Sequence, residues 1–112
     1  MNMYIFANAD LDMVPGRLGA QVGHIVQKII EELVRDQYET FPIPEHCVDY
    51  LRWKNSPTKI VLAATEPQLL ELMNRPGARA FYDDCDQGEQ LTVVGFLPGS
   101  IAKADTKSYR LI

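Results

Sequence analysis

At 112 residues, 46% of them hydrophobic, the chain is long enough to bury one core and too apolar to be disordered. The formal charge of −4 argues against a broad nucleic-acid-binding surface, although a local basic patch is what a phosphate meets. Two cysteines are too few for a disulfide framework, no apolar run approaches a membrane span, and the N-terminus lacks a signal peptide's basic start and long apolar stretch, so a single domain, residues 1–112, in a reduced cytoplasmic setting is expected.

Residues 2–8 predict a buried strand, with Tyr4, Ile5 and Phe6 as β-formers. Asp12 is the candidate N-cap of a helix entered at Pro15 and Gly16 and running to about Arg35. Leu18, Val22, Ile25, Ile29 and Leu33 form its apolar stripe, and Thr40-Phe41-Pro42-Ile43-Pro44 breaks it. Glu45 to Lys54 predicts a short second helix, and Asn55-Ser56-Pro57 a turn. Thr58 to Ala64 is a second strand. Glu66 to Asn74 is a third helix, with Pro67 in its first turn, Leu69, Leu70, Leu72 and Met73 inward, and Arg75-Pro76-Gly77 as its stop. Ala78 to Tyr82 is a third strand, and Leu91 to Leu97 a fourth. Between them Asp83 to Gln90 reads as a turn or loop, with Asp86 and Glu89 as solvated carboxylates. Pro98-Gly99-Ser100 opens a short helix through about Thr106, and Tyr109 to Ile112 is a candidate edge strand. Strands alternating with helical segments predict an α/β sandwich, a mixed four-stranded sheet with helices on both faces. The third and fourth strands are joined by too short a link for a helical crossover and predict an antiparallel hairpin.

The first helix carries the chemistry. Arg17, Gln21, His24 and Lys28 fall at i, i+4, i+7 and i+11 and share one face. They follow a strand end, where ligands favour the crevice of an α/β fold, so Arg17, Gln21 and His24 are expected to line a cleft at the C-terminal end of the first strand. Arg17 reads either as a phosphate or oxyanion contact or as an exposed residue paired with Asp10 or Asp12. His24 reads as a general base or as a histidine bonded to a loop carbonyl. Gln21 positions a water or caps a strand end. Asp83 and Asp84 point to opposite faces if the third strand continues, one towards Arg17 and the other to solvent; the alternative is a polar turn. Gly16, Gly19 and Gly23, with Ala20, suit close approach of a phosphate backbone or, the favoured reading, tight packing of helix on sheet. Arg52-Trp53-Lys54 with Lys59 is the best basic-aromatic cluster, able to stack a base and hold phosphate; the favoured alternative makes Trp53 a core residue. His46-Cys47 and Cys85 lack metal-ligand spacing, the glycine spacing excludes a Rossmann motif, and neither cysteine has a neighbour suggesting a nucleophile, so no metal or cofactor is expected.

The run Asp10 to His24 resembles the start of the archaeal and eukaryotic type of peptidyl-tRNA hydrolase, with Asp10, Leu11, Met13, Gly16, Ala20, Gln21 and His24 in register. Trp53, Lys59-Ile60-Val61-Leu62, Glu66 and the leucines of the third helix, and Thr92-Val93-Val94-Gly95-Phe96-Leu97-Pro98-Gly99 continue the likeness over nearly the whole chain. Arg17 stands where that family has lysine, and Gly19 where it has alanine. After Asp83 and Asp84 the family's threonine-glutamine pair is missing and the loop is shortened. The resemblance implies hydrolysis of the ester between a peptide and the terminal ribose of tRNA. It places Arg17, Gln21, His24, Asp83 and Asp84 as the catalytic candidates. Arg17, Lys28, Arg52, Lys54 and Lys59 are the candidate RNA contacts. Peptidyl-tRNA is the expected partner, with no membrane partner and a homodimer as a candidate assembly. The alternatives are a non-catalytic relative that binds RNA or protein, and a hydrolase of another small ester or amide.

Overall fold

The computed structural model describes residues 1–85 and 88–112, less the side chain of Cys85; the reading of Asp86 as a solvated loop residue lies outside the described residues. The elements are β1 (Met3–Asn8), α1 (Pro15–Glu39), α2 (Glu45–Trp53), β2 (Lys59–Ala64), α3 (Glu66–Leu72), β3 (Ala78–Cys85), β4 (Gly88–Phe96) and β5 (Arg110–Leu111), with 3-10 turns at Ala9–Leu11 and Lys103–Thr106. They build one mixed sheet of order β3-β4-β1-β2-β5. The sheet therefore has five strands, not four. The tail supplies the fifth, pairing Leu111 with Leu62 and Arg110 with Ala63.

β1 is buried along its whole length because it is central and covered on both faces. Met3, Ile5 and Ala7 face α1 and α2, where they meet Ile25, Ile29, Leu33 and Trp53. Tyr4 and Phe6 face the other way, onto Leu69 and Leu72 of α3. This period-two split of an apolar run is what a central strand requires. Helices on both faces are thus observed. Gly95 of β4 lets α1 approach: a Cβ there would lie 2.9 Å from side-chain atoms of both Ile25 and Ile29.

Several local expectations are corrected. Val14, not Asp12, precedes the first turn of α1, with Pro15 as its first residue. Asp12 instead closes the preceding turn at φ 45°, a left-handed conformation that aspartate tolerates better than most residues. α1 continues to Glu39, beyond Arg35. Leu70 is 53% exposed, because only Leu69 and Leu72 of α3 reach the sheet. The stretch after Pro98 forms only the short Lys103–Thr106 turn. Most consequential, residues 83–85 and 88–90 of the polar run are strand, not loop: β3 continues to Cys85 and β4 starts at Gly88. Asp83 pairs with Gln90 and Asp84 with Glu89 in the ladder.

Candidate functional site

α1 runs alongside β3, an edge strand, and its polar face forms a seam with it. Arg17 and Gln21 reach Asp83, His24 stacks on Phe81, Lys28 donates to the Ala80 carbonyl at 2.8 Å, and Glu32 grips Arg79. Four of these five helix residues are the face read from the sequence; Glu32 extends it by one turn. The seam fixes the site's side chains between two rigid elements.

At its hairpin end the seam becomes a closed polar network. Arg17 Nη2 donates to Asp83 Oδ2 at 3.3 Å and to Gln90 Oε1 at 3.1 Å. Gln21 is buried and donates from Nε2 to the same Asp83 oxygen at 3.2 Å, while its Oε1 lies 2.9 Å from the buried Thr92 hydroxyl. That hydroxyl also lies 3.2 Å from the Phe81 carbonyl, so its one proton serves two acceptors. Gln21 and Thr92 are buried while Arg17 and Asp83 are 32% and 34% exposed, so the network runs from the interior out to solvent. Both contacts to Asp83 fall on Oδ2; among the described residues none falls on Oδ1. Both Arg17 bonds leave from Nη2; among the described residues its Nε and Nη1 have no partner. Among the described residues no buried side-chain nitrogen or oxygen lacks a partner.

Gln90 and Thr92 are functional candidates that the sequence reading passed over. A β-bulge places them. Phe81 pairs with Val93, yet Tyr82 pairs with Leu91, so Thr92 is the extra residue on β4. Thr92 and Val93 therefore both turn towards α1, where strict alternation would have sent Thr92 to the opposite face. Behind the bulge, the buried Asn8 donates to the Leu91 carbonyl at 2.8 Å and accepts from the Asp10 amide at 3.0 Å, tying the end of β1 to the hairpin. Asp10 in turn accepts from the Glu66 amide at 2.8 Å, where a carboxylate suits the start of α3.

The other candidates separate. Asp84 is exposed, on the opposite face of β3 from Asp83. His24 is exposed and stacked on Phe81, with ring centroids 4.9 Å apart, and among the described residues no loop carbonyl holds it. The expected cleft is displaced: the cavity at the C-terminal end of β1, about 360 Å³, is lined by Asn8, Met13, Leu18 and Leu111 among others, and Arg17, Gln21 and His24 lie outside it. Gly16, Gly19 and Gly23 are exposed, with nothing within 4 Å of where a Cβ would stand, which overturns the tight-packing reading. Trp53 is buried and donates to the Thr58 carbonyl at 2.9 Å, so it is core and cannot stack a base. Lys59 covers its ring from 5.2 Å. Lys59 pairs with Met3 at the start of β1, whereas Arg17 reaches Gln90 of β4, beyond the Ala7–Val93 pair at the other end of β1, a strand about 17 Å long at the usual rise. The Arg52, Lys54 and Lys59 cluster therefore does not join the Arg17 site.

Cys47 is buried, its thiol donates to the Leu33 carbonyl at 3.5 Å, and burial pushes its pKa up, which makes it a poor nucleophile. His46, beside it, binds Asp36 instead, at 3.0 Å. Among the described residues no group of three or more His, Cys, Asp or Glu side chains is placed to hold a metal, and no helix is long and apolar enough to cross a membrane. The family model described as Peptidyl-tRNA hydrolase PTH2 matches residues 1–111. A search of curated proteins found no match.

Proposed function

The chain belongs to the peptidyl-tRNA hydrolase PTH2 family, and from that membership we propose that it hydrolyses the ester joining a peptide to the terminal ribose of tRNA. The observation that carries the proposal is the Arg17-Asp83-Gln21-Thr92 network, half open to solvent at the end of the β3-β4 hairpin. Ester hydrolysis needs a water, an acceptor for its proton, and a donor for the oxyanion. Asp83 Oδ1 is the acceptor: Oδ2 is held by Gln21 and Arg17, which orients the carboxylate and leaves the other oxygen for water. The water oxygen bonds to the ester carbon as its proton passes to Asp83. Arg17, through Nε and Nη1, stabilises the negative charge on the carbonyl oxygen. The ester C–O bond then breaks, and the ribose oxygen leaves with the proton from Asp83.

Arginine suits this role because it holds its charge; its pKa is too high for it to carry the proton. Thr92 and Gln90 bring a hydroxyl and an amide to this network from the bulged β4. Asp84 and His24 take no part in the proton transfers. Release of peptide from peptidyl-tRNA by the purified protein tests the proposal. Binding without release would favour the non-catalytic alternative.

A further inference from the structure

Next to the network, on the same seam, lies a shallow cavity of about 260 Å³ lined by His24, Gln27, Lys28, Glu31 and Phe81. Its wall is an exposed imidazole held parallel to a phenyl ring, 4.9 Å between centroids and 24° between planes. A ring so backed is fixed in orientation yet open to a ligand. Ala20, one turn before His24, and Gly23, beside it, are exposed and keep bulk away from the approach. Lys28 is held by the Ala80 carbonyl, and Gln27 donates to Glu31 at 3.0 Å. The cavity therefore offers a flat aromatic wall, acceptor oxygens on Gln27 and Glu31 that suit a planar heterocycle with an exocyclic amine, and the Lys28 ammonium for a neighbouring phosphate.

We infer that His24 and Phe81 form a stacking platform for the terminal base of the RNA, the base on the ribose that carries the ester. This rests on the hydrolase reading above for the identity of the ligand. The spacing supports it. His24 stands three residues after Gln21 and seven after Arg17, about 4.5 and 10.5 Å along the helix at its usual rise. A base and an ester on one ribose are separated by a distance of that order. His24 is then a positioning residue: it sets the ribose so that the ester meets Arg17 and Asp83. Stacking on aromatic side chains is how single-stranded RNA ends are commonly held.

The test uses an uncharged RNA hairpin with a single-stranded 3′ tail ending in 2-aminopurine, whose fluorescence falls when the base stacks. The wild-type protein and His24→Phe, which keeps a ring without a titrating nitrogen, are expected to quench it. His24→Ala is expected to leave it bright and to bind about tenfold more weakly. The same hairpin lacking its terminal base should bind wild type as weakly as His24→Ala binds the intact RNA. With peptidyl-tRNA, His24→Ala should raise KM about tenfold with a much smaller change in kcat, and His24→Phe should restore it. No quenching by wild type, equal quenching by His24→Ala, or loss in His24→Phe of a limb of the kcat pH profile near neutrality would each overturn the inference, the last by making His24 a proton carrier. Quenching by a wild type that releases no peptide would leave the base platform standing and remove the hydrolase reading instead.

Discussion

Asp83 is assigned two tasks, holding a cation and taking a proton, and they fall on different oxygens of one carboxylate. Asp83→Asn keeps the shape and removes the proton acceptor, so kcat is expected to fall at least a hundredfold while RNA affinity changes little. Arg17→Ala removes the oxyanion donor, worth about 3 kcal/mol, again roughly a hundredfold or more in rate. Arg17→Lys should keep or raise the rate, since lysine is what the resembling sequences carry and an ammonium still places a charge there. These rates are to be measured at saturating substrate, with binding followed separately, so that lost affinity is not mistaken for lost chemistry. A tenfold or greater fall in kcat for Arg17→Lys would mean that the planar fork, not the charge, does the stabilising.

The seam between α1 and β3 is the element on which the site depends, and much of it was legible. The i, i+4, i+7, i+11 spacing put Arg17, Gln21, His24 and Lys28 on one face, and the structure lays that face on one strand. Of the hairpin, its existence and the opposite faces of Asp83 and Asp84, one towards Arg17, were legible, but the length of its strands was not. Consecutive aspartates are poor strand formers, and only pairing in the ladder with Gln90 and Glu89 keeps Asp83 and Asp84 extended. The bulge hid Thr92, because one inserted residue reverses the side a strand pattern predicts, and nothing in a single sequence marks where the insertion falls. The closeness of α1 to the sheet rests on Gly95. Gly95→Ala should cost about 1–3 kcal/mol in urea unfolding through overpacking against Ile25 and Ile29; an unchanged midpoint would show that both side chains can move aside. At the far end of the seam, hydrogen bonds from Arg79 hold the Glu32 carboxyl below its usual value of 4.5. A lowered folded-state pKa contributes stability that is present above the ordinary glutamate range and is lost as pH falls through the lowered value. Wild type should therefore lose more stability than Glu32→Gln between pH 6 and pH 3, by about 1 kcal/mol for a pair that is partly exposed. Parallel acid profiles for the two would remove that pair from the account.

Across the whole molecule the cations are divided. Arg17 and Lys28 lie on the seam, while Lys59 lies at the opposite end of the sheet, where β1 begins. Of the five candidate cations, Arg17 and Lys28 are the two placed on the seam beside the network. Two phosphates neutralised would give a log–log salt slope of about −1.5, against about −4 if all five candidate cations took part. The shallow slope is expected, and a steep one would restore Arg52, Lys54 and Lys59 as contacts. Burial of Trp53 explains the division: the residue that made the second cluster look like an RNA surface is needed by the core. The central claim is that Asp83, oriented by Arg17 and Gln21, takes the proton of a hydrolytic water. Its most direct test is multiple-turnover release of peptide from peptidyl-tRNA by wild type and by Asp83→Asn, each at saturating substrate. Wild type is expected to turn over and the variant to lose a hundredfold or more; equal rates in the two, or no release by a wild type that binds the substrate, would overturn that role for Asp83.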